Sequence, residues 1–138
     1  LDYVRLPGQE TWVVSMRPDD LLAQKTQITK EDLLDKPLIL PERTNIQSEL
    51  ANWFGKDYEH LNVAFVSNLH TNAAIMAKHG LGYPITVKGV MHFWKEDVLV
   101  HRELVPPLNM PTVIAWRRNI PYSQAVMKFI EEINAFQA

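Results

Sequence analysis

The sequence predicts an α/β domain, a parallel sheet covered by helices, and three observations carry that expectation. From Leu38 to Val87 the pattern alternates strand, helix, strand, helix, strand, the order that parallel sheets require. Each strand-to-helix passage in that stretch is a short polar turn, first Pro41-Glu42-Arg43-Thr44-Asn45 and then Ser67-Asn68-Leu69-His70-Thr71. Of the 138 residues 46% are apolar and 22% charged, which suits one folded domain with a real core.

Asp2 to Leu6 reads as extended and Pro7-Gly8 as a turn. Thr11 to Met16 is β-branched and aromatic, a strand that Pro18-Asp19-Asp20 ends. Thr29 stands three residues before Asp32, so a hydroxyl cap starts a short helix through Leu33 and Leu34. Glu31 and Asp32 favour its dipole. Pro37 stops that helix and opens the strand Leu38 to Leu40. Ile46, Leu50, Trp53 and Phe54 make one apolar stripe, predicting a sheet-packed helix that Gly55 closes. After a polar connection from Lys56 to Leu61, Asn62 to Val66 reads as a strand. The next helix, ending at Lys78, is apolar on most sides and is expected to be largely buried.

Gly80 fits its closing position, and Gly82 lets backbone pass closely. Tyr83 to Val87 is a strand in which Pro84 marks the first residue or a bulge, since proline cannot donate to the ladder. Lys88 to Glu96 fits a loop and a short helix equally. Within it Met91, Phe93 and Trp94 read as a local hydrophobic patch rather than a ligand box. Val98 to Leu104 is a strand stopped by Pro106-Pro107, and Thr112 to Trp116 is another. Ser123 caps a last helix with Val126, Phe129, Ile130 and Ile133 on one face.

Composition narrows the function. A net charge of −2 without a basic run gives no electrostatic footprint for nucleic acid. Absent cysteine excludes a disulfide framework and a thiolate metal site. No apolar stretch approaches the roughly 18 residues that span a bilayer. Glycine-rich nucleotide loops and a Gly-x-Ser-x-Gly elbow are missing. His60, His70, His79, His92 and His101 lack metal-site spacing and read as structural. Glu31, Asp32 and Asp35 belong to the capped helix. No catalytic residue, metal ligand or cofactor is therefore expected.

A binding argument remains. The first turn of a helix offers unpaired N–H groups and a positive dipole end, which attract a carboxylate or phosphate. Arg43, Thr44 and Asn45 at the first junction, with Ser67 and Asn68 at the second, are the candidate effector-binding residues. On adjacent parallel strands the two junctions would converge on one small anion. Plain capping is the competing explanation, because Ser, Thr and Asn are preferred at any helix start. Glu42 would also offset part of the charge of Arg43.

Trp12-Val13-Val14-Ser15-Met16-Arg17-Pro18-Asp19-Asp20, followed by Leu22-Ala23, Ile28-Thr29, Glu31-Asp32-Leu33 and Pro37-Leu38-Ile39-Leu40, resembles the effector-binding domain of LysR-type transcriptional regulators. So do Val66 to Ile85, Thr112 to Arg118 and the helix from Ser123 through Phe136, so that the match covers nearly the whole chain in order. The resemblance implies a periplasmic-binding-protein-like (type 2) fold: a mostly parallel sheet flanked by helices in each of two lobes, joined by two hinge strands. It implies a small, often anionic, metabolite in the cleft between lobes. It further implies a cytoplasmic bacterial protein, a homo-oligomer (dimer or tetramer), and DNA binding through a separate amino-terminal winged helix-turn-helix.

By position, Arg43, Thr44 and Asn45 match the first cleft-facing turn of the second lobe, and Ser67 and Asn68 match the second. Residues 18–111 would form that lobe, with 1–17 and 112–138 supplying the hinge strands and a remnant of the first lobe. The sequence is thus expected to be amino-terminally truncated, to hold half a cleft, and to bind effector weakly or not at all. Phe129 and Ile133 would be exposed unless another chain covers them. A solute receptor of the same fold serving uptake is the alternative. An enzyme on this fold would need a catalytic group, and none can be named.

Overall fold

The computed structural model describes residues 1–137. Packing divides the chain into two units, Glu10–Asn109 and the pair of segments Leu1–Gln9 and Met110–Ala138. Strands β1 (Asp2–Met16) and β7 (Asn109–Trp116) run through both.

The larger unit carries the predicted alternation. After β2 (Gln27–Thr29) and α1 (Lys30–Leu33) come β3 (Leu38–Pro41), α2 (Thr44–Phe54), β4 (Val63–Ser67), α3 (His70–Lys78) and β5 (Tyr83–Val87), then β6 (Val100–Val105). The sheet order is β2-β6-β1-β5-β3-β4. β3 is parallel to both β4 and β5, as the alternation requires. β1 is antiparallel to β5 and to β6, which makes the sheet mixed. No crossover helix joins β1 to its neighbours, so its direction left no local trace in the sequence.

Local rules account for most elements. Thr29 and Asp32 form a reciprocal capping box at α1. In α2, Leu50 and Phe54 are fully buried, while Ile46 and Trp53 lie half-buried at the margin of the stripe. The indole N–H of Trp53 donates to the carbonyl of Pro106 at 2.7 Å. Gly55 and Gly80 take positive φ after α2 and α3. At Gly80 the N–H of Gly80 donates to the Ala77 carbonyl and that of Leu81 to the Met76 carbonyl, the paired bonds that close a helix through a left-handed residue.

Some expectations are corrected. α3 is not largely buried: Ala73, Ala74 and Ala77 are covered, but Ile75 is 44% exposed, and Leu69, just before the helix, 56%. Only the alanine face meets the sheet, where small side chains allow close approach. Pro7-Gly8 does not break β1, which continues with Gly8 at φ +85°. Lys56–Leu61 contains a 3-10 helix over Gly55–His60, and Lys88–Phe93 is another. Met91 enters a core with Val13, Ala74, Ala77 and Leu99, against which Val90 and Trp94 pack, whereas Phe93 is 86% exposed. Pro84 is tolerated because β1 pairing begins at Ile85, so the missing N–H falls outside that ladder.

In the smaller unit β7 pairs with β1, and α4 (Gln124–Gln137) follows. The N–H of Val126 donates to the Ser123 hydroxyl at 3.3 Å, the expected cap. Phe129 is 58% exposed, as expected, while Ile130 and Ile133 are half-buried.

Candidate functional site

β3 and β4 end level with each other, Pro41 opposite Ser67. The N–H of Glu42 donates across to the carbonyl of Ser67 at 3.2 Å. Because the strands are parallel neighbours, α2 and α3 start at the same end of the sheet. Arg43, Ser67 and Asn68 line one cavity of about 280 Å³, together with Trp12 of β1 and His70 of α3. Thr44 and Asn45 are the first two residues of α2, exposed and outside that lining.

Both helix starts lack a side-chain cap: Arg43 precedes α2 and Leu69 precedes α3, and neither accepts from the first turn through its side chain. The other α-helices are capped, α1 by Thr29 and α4 by Ser123, and Asp20 caps the 3-10 helix Leu21–Gln24, whereas the 3-10 helices Gly55–His60 and Lys88–Phe93 have no side-chain cap. At α2 the N–H groups of Ile46 and Gln47 both donate to the Arg43 carbonyl. Those of Thr44 and Asn45 donate to no protein group among the described residues. The Ser67 hydroxyl is already engaged, donating to the Leu69 carbonyl at 2.9 Å and accepting the Leu69 N–H at 3.2 Å. It shapes the turn that presents α3.

His70 sits in the first turn of α3, with Nδ1 2.6 Å from the hydroxyl of buried Thr86. Desolvation, and then the nearby Arg43 charge, hold its pKa below the ordinary histidine value, both favouring the neutral imidazole. Sequence reasoning missed His70 and Trp12 as lining residues. The position of His70, directly after Ser67-Asn68-Leu69, was the available signal; for Trp12, on a strand far away in sequence, there was none.

A second recess of about 540 Å³ shares Asn68 and His70 and is walled by Leu69, Val90, Phe93 and Trp94. Phe93 and Trp94 thus do more than fill a patch, whereas Met91 belongs to the core. Among the described residues, no three His, Asp or Glu side chains meet in a metal-binding group, and no helix is long and apolar enough to cross a membrane. The first cavity combines the donors of the helix starts and the charge of Arg43 with the carboxylate of Glu42, which lines the same wall.

The family model of the LysR substrate binding domain matches residues 1–138. The CcmR regulatory domain of Synechocystis PCC6803, in complex with 2-PG, is similar with a TM-score of 0.77 and 18% identity, over 99% of this chain and 67% of that one. The effector binding domain of QuiR, in complex with shikimate, is similar with a TM-score of 0.77 and 16% identity, over 98% and 65%. HinK, a LysR family transcriptional regulator from Pseudomonas aeruginosa, gives 0.71 and 19% identity, over 98% and 48%. The chain therefore spans about half to two thirds of the length of these structures. At such identities the likeness shows the fold. No curated protein sequence matches the chain.

Proposed function

The chain belongs to the LysR substrate binding domain family, with a periplasmic-binding-protein-like (type 2) α/β fold, and from that premise we propose that it senses a small anionic metabolite at the paired starts of α2 and α3. The observation that carries this reading is the absence of side-chain caps at these two neighbouring helix starts, beside Arg43, whereas the other two α-helices, α1 and α4, are capped by Thr29 and Ser123. Structural neighbours in complex with 2-PG and shikimate support a small-molecule role. The sensor is non-enzymatic and cytoplasmic, and its effector modulates DNA binding by a helix-turn-helix domain outside this chain. Residues 18–111 serve as one lobe, and 1–17 with 112–138 as the hinge strands and part of the other. The uptake-receptor alternative shares the fold, but the family match favours the regulator.

The test is binding of small carboxylates, at concentrations high enough for the weak affinity that half a cleft allows, followed by thermal shift and calorimetry, since a ligand specific for the native state raises its stability. Arg43→Ala is expected to weaken the best carboxylate by roughly tenfold or more, the value of one hydrogen bond to a charged group. Unchanged affinity in that variant removes Arg43, and with it the anion reading.

The homo-oligomer expected for the family finds support in β4, an edge strand with Val63, Phe65 and Val66 between 39% and 53% exposed. Unprotected apolar edges invite pairing with another chain. Phe65→Lys is expected to shift self-association, measured by sedimentation velocity, by about tenfold toward monomer. An unaltered sedimentation profile would take β4 out of the interface.

A further inference from the structure

Phe93 is 86% and Leu69 56% exposed, two large apolar side chains left in water on the wall of one recess of about 540 Å³. Val90 and Trp94 line the same recess, and both are held by packing on the core around Met91 and Leu99. That part of the wall is therefore preformed. Contiguous apolar surface of this kind marks a place that another molecule covers, and the volume lies within the roughly 300–1,000 Å³ usual for small-molecule sites. The recess adjoins the cavity at the helix starts, because Asn68 and His70 line both. Nδ1 of His70 is engaged by the Thr86 hydroxyl, and the Asn68 amide can donate and accept, so the boundary between the two spaces is polar.

The two spaces differ in chemistry. The smaller, about 280 Å³, is lined by Arg43 and Glu42, and among the described residues neither enters a salt bridge. Arg43 and the helix-start N–H groups favour one carboxylate there, while Glu42 on the same wall opposes a second negative charge. The larger space has no Asp, Glu, Lys or Arg in its lining, so a charge placed in it loses water without gaining a partner.

Resting on the anion reading above, we infer that the effector is an amphipathic monocarboxylate. Its carboxylate lies at the starts of α2 and α3, and its apolar body passes Asn68 and His70 into the recess of Leu69, Val90, Phe93 and Trp94. Each methylene that leaves water in the recess improves affinity about two- to fourfold. A short acid reaches only the polar cavity, and a long dicarboxylate strands its second charge among apolar side chains.

The experiment uses the uniformly nitrogen-15-labelled full chain, titrated separately with butyrate, octanoate and octanedioate. Butyrate is expected to move the backbone amides of Thr44 and Asn45 alone. Octanoate should move these together with the amides of Leu69, Val90 and Phe93, and bind about tenfold or more tightly than butyrate. Octanedioate, of equal length, should bind about tenfold or more weakly than octanoate. Phe93→Asp changes a side chain that lies almost wholly in water; it should remove most of the advantage of octanoate and leave butyrate unchanged. If the Thr44 and Asn45 amides respond and Arg43→Ala weakens binding, but octanoate binds no better than butyrate or octanedioate equals octanoate, the helix-start reading stands and this inference falls. It falls equally if octanoate moves amides of β4 or α4 in place of those of the recess. Recess amides that shift on diluting the chain without ligand would show a second copy covering them, and would also overturn it. If no acid moves the Thr44 and Asn45 amides, or Arg43→Ala changes nothing, the anion reading fails and takes this inference with it. The three titrations of the unsubstituted chain decide the matter even if Phe93→Asp does not fold.

Discussion

Phe54→Ala is expected to cost about 3–5 kcal/mol of stability, the usual range for emptying a core site of this size. Phe54 has no exposed surface. Its ring meets Trp53 edge to face with centroids 4.8 Å apart and lies 6.4 Å from the ring of Tyr58. It stands in the last turn of α2, where the chain reverses at Gly55 and the Lys30 ammonium reaches the Phe54 carbonyl at 3.4 Å. Three aromatic rings in sequence proximity cannot collapse into the space an alanine leaves, so the cavity persists. Against a domain stability of roughly 5–15 kcal/mol the loss is large, and urea unfolding followed by far-ultraviolet circular dichroism should show an earlier midpoint with a similar slope. The effect should reach the candidate site as well. Arg43 precedes the same 11-residue helix, about 16 Å away along its axis, and a loosened anchor lets the first turn drift. A loss below about 1 kcal/mol would mean that Phe54 does not anchor α2.

Gly82→Ala should destabilise toward the upper end of the ~1–3 kcal/mol typical of overpacking. A methyl group there would sit 2.8 Å from Cγ1 of Ile39 and 3.0 Å from the carbonyl oxygen of Pro37. Ile39 is itself 1% exposed and has no free rotamer space. The Pro37 carbonyl cannot retreat, because it accepts the Tyr83 N–H at 2.8 Å where β5 joins β3. The added carbon therefore pushes against the parallel pair that holds the candidate site. A melting temperature lowered by several degrees is the expected readout. Gly82→Ala melting like the unsubstituted chain would show that β3 and β5 separate more easily than this packing implies. The effect comes from close approach, not from backbone strain, in contrast to Gly80, whose positive φ closes α3.

How much of this was legible in advance depends on the range of the interaction. Thr29 and Asp32 signal their capping box from three residues apart, and the Leu50 and Phe54 stripe signals the buried face of α2 within two turns. The close passage at Gly82 was likewise readable, since glycine beside a strand is a local cue. α3 misled, because a run of alanine, isoleucine and methionine around a helix shows that it is apolar without showing how many sides the fold covers. Pro7-Gly8 misled for a related reason: the turn preference of that pair yields where β1 runs on as one strand. That Arg43, Ser67 and Asn68 line one cavity could be anticipated because each lies next to a strand end that the alternation predicts.

By itself the sequence determined the strand-helix alternation, the caps and closing glycines, and the pair of polar junctions, since each depends on residues a few positions apart. Only the tertiary structure decided that β1 runs antiparallel between β5 and β6, and that it carries Trp12 into a cavity begun by Arg43 and Ser67. It likewise decided that His70 meets the Thr86 hydroxyl, where desolvation and the Arg43 charge lower its pKa. Those choices rest on contacts between distant segments, where the free energy of burying one surface against another outweighs local propensity and leaves no periodicity to read.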